Sequence, residues 1–195
     1  MNKVGLLGGS FDPVHKAHIA LAKRAVDALQ LDRLELIPAA NPWQRAPLKG
    51  SAEHRLAMLQ LAIDHNPILH INPIELERTG PTYTLDTLQQ LPTDAQYYWV
   101  LGSDQLQNFH TWQGWQEILQ YVTLAVAQRP GATIQPAAEL SAYLQANGLT
   151  LETIDFEPMD ISATEIRSRL KQHRSTDGLL EPKVQQYIKR HQLYL

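Results

Sequence analysis

The amino-terminal run KVGLL (Lys3–Leu7) stops on Gly8-Gly9, and from Val14 onward Ile19, Leu21, Ala22, Ala25, Val26 and Leu29 recur at helical spacing to about Gln30. A short apolar run that leaves on glycines and passes into an amphipathic helix reads as a buried strand feeding a crossover helix. This constrains the fold strongly, because a strand apolar on both faces must be covered by helices on both sides. The alternation continues along the chain. Arg33–Ala39 (RLELIPA) reads as a second strand broken by Pro38, Asn41–Gly50 as a loop at a strand end, and Ser51–His65 as a helix with Ser51 as its N-cap. Ile68–Ile74, Gln96–Leu101, Val122–Ala127 and Leu151–Phe156 are further strand candidates, Ala137–Ala146 reads as a helix, and two helices close the chain. This order predicts one parallel sheet covered on both faces. Ligands of such sheets bind beyond the carboxyl ends of the strands, near the point where strand order reverses. The polar clusters Gly8–His18, Asn41–Lys49, Gly102–Asp104 and Arg129 all fall at those ends.

Composition narrows what such a sheet serves. The 195 residues suit one α/β domain over 1–195, with a helical part from about residue 157 onward. The absence of cysteine excludes a disulfide scaffold, thiolate metal sites and Cys-based catalysis. A net charge of −3 argues against a general nucleic-acid binder, which is usually basic over a wide face, but leaves room for a small anionic ligand held by a few local donors. The apolar run in MNKVGLLGGSFD is too short for a signal segment, and no stretch approaches the about 20 apolar residues of a membrane span. A cytoplasmic protein with no membrane partner is the expectation. Oligomeric state is not legible, because LLEPKVQQYIKRHQLYL from Leu179 fits packing on its own core or on a neighbour.

Two segments carry chemistry. In GGSFDPVHKAH (Gly8–His18) the paired glycines after a strand let backbone N–H groups approach a bound anion. Asp12 and Pro13 suit a helix entry, as cap and first-turn residue. His15 and His18, three apart, project from one face of the first turn, where each imidazole is able to donate to phosphate oxygens. A Gly-Gly turn or an HxxH pair alone is commonplace; their combination within one short segment is what points to phosphate chemistry. A metal site fits less well, since no acidic third ligand falls at a telling spacing. In ISATEIRSRL (Ile161–Leu170) Ser162 and Glu165 have capping-box spacing, Ile166 and Leu170 form a buried stripe, and Arg167 lies one turn in. A hydroxyl-rich helix start beside an arginine is either a second anion cradle or an ordinary capped helix.

GGSFDPVHKAH taken with ISATEIR resembles the paired signature of the HxGH nucleotidyltransferase superfamily, whose members attack the α-phosphorus of a nucleoside triphosphate and release pyrophosphate. The resemblance implies a Rossmann-like, doubly wound parallel sheet with helices on both faces and a small C-terminal helical subdomain. It implies that His15, His18 and Arg167 are catalytic, stabilising charge on the transferring and leaving phosphates. It implies further that Gly8, Gly9, Ser10, Phe11, Gly102, Asp104, Ser162 and Thr164 join them in binding ATP. Ala17, Ser10 and Ala163 depart from the usual Gly, Thr and Ser; of these, Ala17 bears on how closely phosphate meets the backbone.

The acceptor is read from other segments. ERTGPTYTLDTL (Glu77–Leu88) resembles the ERxGPSYTxDTL stretch of bacterial nicotinate-nucleotide adenylyltransferases, with Thr84 placed to cap a following helix. GSD (Gly102–Asp104), TWQGW (Thr111–Trp115) and Arg129 match that family too. This resemblance spans nearly the whole chain. It implies transfer of AMP from ATP to nicotinate mononucleotide in NAD biosynthesis, with Arg45, Thr82, Tyr83, Trp112 and Arg129 at the mononucleotide. Trp112 and Trp115 equally suit the packing of a short helix. Pro42-Trp43-Gln44-Arg45 departs from the family's PPHK, and Lys49 competes with Arg45 for the substrate phosphates. The chemistry implied needs no general base, since the attacking phosphate is already ionised. Mg²⁺ is expected mainly on ATP phosphates rather than in a protein cage. Nicotinamide mononucleotide is the alternative acceptor, and a non-catalytic nucleotide sensor the alternative class.

Overall fold

A computed structural model describes residues 1–40 and 47–195. Six parallel strands, β1 (Asn2–Gly9), β2 (Arg33–Pro38), β3 (Leu69–Ile71), β4 (Ala95–Gly102), β5 (Val122–Gln128) and β6 (Glu152–Asp155), form one sheet in the order β3-β2-β1-β4-β5-β6. The chain starts in the middle, winds outward through β2 and β3, then crosses back beside β1 as β4. The reversal of strand order, and so the crevice for a ligand, lies between β1 and β4.

The helices are α1 (Lys16–Leu29), α2 (Ala52–Ile63), α3 (Thr84–Leu88), α4 (Ser103–Asn108), α5 (Trp115–Tyr121), α6 (Ala138–Asn147), α7 (Ala163–Lys171) and α8 (Pro182–Arg190). They bury two apolar clusters, one on each face of the sheet. Along β4 the side chains alternate between them: Tyr97, Trp99 and Leu101 face the α3–α6 side, Tyr98 and Val100 the α1–α2 side. Burial on both faces explains why the central strands read as unbroken apolar runs. Ile166 of α7 and Val184 and Ile188 of α8 lie in the cluster of α1 and α2, so the closing helices share that core.

Local departures from the sequence expectations have local causes. β3 spans only Leu69–Ile71, because the Asn72 side chain accepts the Ile74 N–H at 3.1 Å and Pro73 follows, turning the chain out of the sheet. Ser51 caps α2 as expected, accepting the His54 N–H at 3.3 Å. Ser162 caps α7 through the Glu165 N–H at 3.1 Å, but the reciprocal half of the capping box is absent. The Glu165 carboxylate accepts instead from Arg169 Nε at 2.7 Å and from Arg174. α3 begins at Thr84 with Tyr83 in the cap position, so Thr84 is the first helical residue and not the cap.

Candidate active site

β1 delivers Gly8 and Gly9 to the carboxyl edge of the sheet, paired with Ile37 and Pro38 of β2. The space these glycines save is used inward. A Cβ on Gly8 would lie 2.9 Å from the Trp99 ring, and one on Gly9 would lie 3.0 Å from the ring of Phe11. Phe11 has φ +46 and is buried, so its ring belongs to the core and only its backbone faces a ligand crevice. That ring also meets His18 edge-on, with centroids 5.0 Å apart.

The helix entry differs from the sequence expectation. α1 begins at Lys16 with His15 in the cap position, and Asp12 and the cis-linked Pro13 lie in the turn before it. Asp12 does not cap α1. Its carboxylate accepts the Lys49 N–H at 2.7 Å, the Gly50 N–H at 2.8 Å and the Tyr194 hydroxyl at 2.8 Å, partners far off in sequence that outbid the local helix start.

His15 and His18 stack, with centroids 3.6 Å apart and planes 21° from parallel. The His15 N–H donates to His18 Nδ1 at 3.2 Å, which assigns the neutral His18 ring its proton on Nε2. His15 is only 6% exposed, and burial pulls its pKa from 6.5 to about 4, so it is neutral at physiological pH. The pair is thus not a site of two full positive charges.

Cationic charge arrives from α7. Arg167 donates through one terminal nitrogen to the Asp12 carbonyl at 2.6 Å and through the other to Thr164 Oγ1 at 3.2 Å. The structure therefore joins the two sequence motifs directly, with Ser162 and Thr164 at the α7 start alongside. Beneath them Arg55 of α2, 1% exposed, donates to the Ser10 carbonyl at 2.8 Å. Burial lowers its pKa, and the charge of Asp12 opposes that shift. Sequence reading missed Arg55, yet its spacing to Leu59 and Ala62 puts it on the buried stripe of α2, which is the signal that a cation lies inside.

The remaining predicted residues sit at neighbouring strand ends. Gly102 ends β4, and its N–H bonds Gln105 Oε1 at 3.2 Å; Asp104 is exposed in the first turn of α4, and Arg129 is exposed one residue past β5. Trp112 is half-buried, 5.2 Å from Phe109 and 6.4 Å from Trp99 between ring centroids, so one part of it serves packing. Trp99 thereby touches both the Gly8 side and the TWQGW segment. Thr82 is buried and Tyr83 half-buried just before α3. Arg45 lies outside the described residues, and Lys49 is placed by its N–H on Asp12. A second group that sequence reading missed supports the Thr82–Tyr83 turn: buried Glu75 accepts from the Thr87 hydroxyl at 2.8 Å, and Arg78 donates to that same oxygen at 2.6 Å. Among the described residues no group of three or more His, Cys, Asp and Glu gathers that could hold a metal ion, and no helix is long and apolar enough to cross a membrane.

Residues 6–169 match the family described as Cytidylyltransferase-like. The chain is 59% identical over 194 residues to a Bordetella petrii protein named "Probable nicotinate-nucleotide adenylyltransferase", covering all of both chains. It is 38% identical over 211 residues to a protein of the same name from Chromobacterium violaceum, covering 98% of each. Among solved structures it superposes on the nicotinic acid mononucleotide adenylyltransferase of Plasmodium falciparum complexed with NaAD, with a TM-score of 0.78 over 100% of this chain and 98% of that one. At 19% identity that likeness speaks for the fold. Matched by a family over most of its length and by such relatives from end to end, the chain belongs to the cytidylyltransferase-like family and, within it, to the nicotinate-nucleotide adenylyltransferases.

Proposed function

We propose that the chain transfers AMP from ATP to nicotinate mononucleotide, giving nicotinate adenine dinucleotide and pyrophosphate, in the cytoplasm as a step of NAD biosynthesis. The observation that carries the reading is the bond from Arg167 to the Asp12 carbonyl. Through it a stacked histidine pair, a buried strand end and a hydroxyl-bearing helix start form one cradle at the switch point of the sheet. The acceptor half rests on ERTGPTYTLDTL and TWQGW and on the printed names of the relatives.

In this mechanism the mononucleotide's phosphate oxygen attacks the α-phosphorus of ATP in line with the departing pyrophosphate. The attacking oxygen is already an anion at neutral pH, so the chain has no proton to remove. Its work is positioning and charge stabilisation. His18 donates from Nε2 to a phosphate oxygen as negative charge moves toward the leaving group. Arg167 holds the β- and γ-phosphates with the Ser162–Thr164 helix start, where backbone N–H groups favour anions. Gly8 to Phe11 supply backbone contacts to the triphosphate, and Asp104 with Gly102 receives the ATP ribose. Thr82, Tyr83 and Trp112 receive the pyridine ring, and Arg45 and Arg129 the acceptor's phosphate and ribose. ATP enters as its Mg²⁺ complex. A Mg²⁺ arriving with ATP would take its ligands mainly from phosphate oxygens and water and would neutralise charge on the leaving pyrophosphate.

Pyrophosphate release, measured with ATP and each mononucleotide in turn, tests the proposal. Release with nicotinate mononucleotide at far higher kcat/KM than with the nicotinamide form is expected. Preference for the nicotinamide form would overturn the acceptor assignment, and ATP binding without release on any acceptor would overturn the enzymatic reading.

A further inference from the structure

The chain ends against its own first motif. After α8 the Leu193 N–H returns to the Ile188 carbonyl at 3.1 Å, and Tyr194, with φ +65, delivers its hydroxyl to Asp12 Oδ1 at 2.8 Å across 182 residues of sequence. Asp12 is a junction. Its Oδ1 also accepts the Gly50 N–H and its Oδ2 the Lys49 N–H, while its carbonyl holds Arg167. The seat of the phenol exists only because residue 50 has no side chain. A Cβ there would lie 2.7 Å from the Tyr194 oxygen and 2.8 Å from Asp12 Oδ1. Burial and the adjoining carboxylate raise the Tyr194 pKa well above its ordinary value, so the hydroxyl remains a donor over the whole working range of pH.

We propose that Tyr194 is a positioning residue for the nucleotidyl transfer: by fixing the Asp12 carboxylate it aligns the Lys49–Gly50 end of the loop before α2 with the cradle of His18 and Arg167. The inference rests on the adenylyl-transfer reading. A tail that only filled space would need the ring and not the oxygen, because phenylalanine packs in the same volume. What the oxygen adds is direction. With the hydroxyl gone, the carboxylate keeps its two backbone N–H partners, but Oδ1 loses one of its two donors and the support from the tail side, so its hold on the Gly50 end of the loop loosens. Displacements of that kind act on the alignment of reacting groups more than on ground-state binding.

The test is Tyr194→Phe beside Gly50→Ala, which crowds the same seat from the other side, in the full-length protein. Tyr194→Phe is expected to lower kcat about tenfold, below the about 10²-fold that a 1 Å misplacement of reacting groups costs. The dissociation constant for ATP should stay near that of the parent, the midpoint of thermal unfolding should fall only by the few degrees that one lost buried hydrogen bond costs, and hydrogen exchange at the Lys49 and Gly50 amides should speed up. Gly50→Ala should lower kcat by a similar factor with the tyrosine in place. A Tyr194→Phe protein with parental kcat and parental exchange overturns the proposal, as does a loss of activity that only tracks loss of folded protein. If the parent itself turns over no mononucleotide, the functional reading fails instead, and exchange at Lys49 and Gly50 still reports whether Tyr194 holds the loop.

Discussion

Two buried titratable groups give this fold stability slopes of opposite sign, and replacing one exposes the other. Burial lowers His15 from 6.5 to about 4. The unfolded chain therefore carries a proton that the folded chain lacks between about pH 4 and 6.5, and stability rises with pH across that window. Glu75, 6% exposed, goes the other way. Burial raises its carboxyl from 4.5 to about 7, more than the Thr87 hydrogen bond and the charge of Arg78 lower it. The folded chain then holds a proton that the unfolded chain has released, so stability falls as pH rises from 4.5 through about 7. Each slope is at most about 1.4 kcal/mol per pH unit and each full swing about 3 kcal/mol. Over the shared window of 4.5 to 6.5 they largely cancel in the parent protein. Glu75→Gln keeps an oxygen for the Thr87 hydroxyl and removes the falling slope. Denaturant unfolding across this range should show the variant matching the parent near pH 4.5 and gaining up to about 3 kcal/mol by about pH 7.5, or roughly 6–12 °C in Tm for a chain of this size. A difference curve flat with pH, or a variant less stable than the parent above pH 7, would show that Arg78 and not burial governs this carboxyl.

His18→Ala should lower turnover about 10²-fold or more, the scale of losing a transition-state donor, with parental turnover in a folded variant counting against its assigned role. Gly8→Ala drives a methyl into the Trp99 ring at 2.9 Å and should cost about 1–3 kcal/mol by urea titration, relieved in part when Trp99 is also changed to Phe. Ile166→Ala opens a cavity where α7 meets the α1–α2 core and should cost about 2–5 kcal/mol, read from the same titration.

The strands and the large helices were legible because burial on both faces writes itself as apolar runs and helical repeats. Gly8-Gly9, the Ser51 and Ser162 caps and the stripe of Ile166 needed only local rules. What stayed hidden is what depends on distant partners. Asp12 reads locally as a helix cap, and only the fold reveals that Lys49, Gly50 and Tyr194 claim its carboxylate. Glu75 looks like one acid among several in IELER, and its burial against Thr87 has no signature in spacing alone. Tyr194 is the extreme case, since a penultimate tyrosine carries no sign that it will meet residue 12. The proposed substrate residues came from resemblance; the fold adds that Trp99 joins the Gly8 turn to Trp112, a contact that explains why an aromatic sits on β4 at that register.

The cradle also shows why its donors are of the types they are. In the proposed reaction Arg167 has to be fixed before a ligand arrives and still have hydrogen bonds to give afterward. A guanidinium suits both, since one N–H on each terminal nitrogen holds Asp12 and Thr164 and the fork carries five N–H donors in all. A lysine at 167 would carry three donors on one rotatable ammonium and would lack the planar fork that spans Asp12 and Thr164 in a set direction. On His18, Nδ1 accepts the His15 N–H, which orients the ring. Both groups are thus oriented by bonds made within the chain itself. Orientation is therefore settled on folding rather than on binding, which is where electrostatic preorganisation lowers a barrier most effectively. The same logic limits what Asp12 does. Its carboxylate, engaged by two backbone amides and a phenol, organises the groups around it.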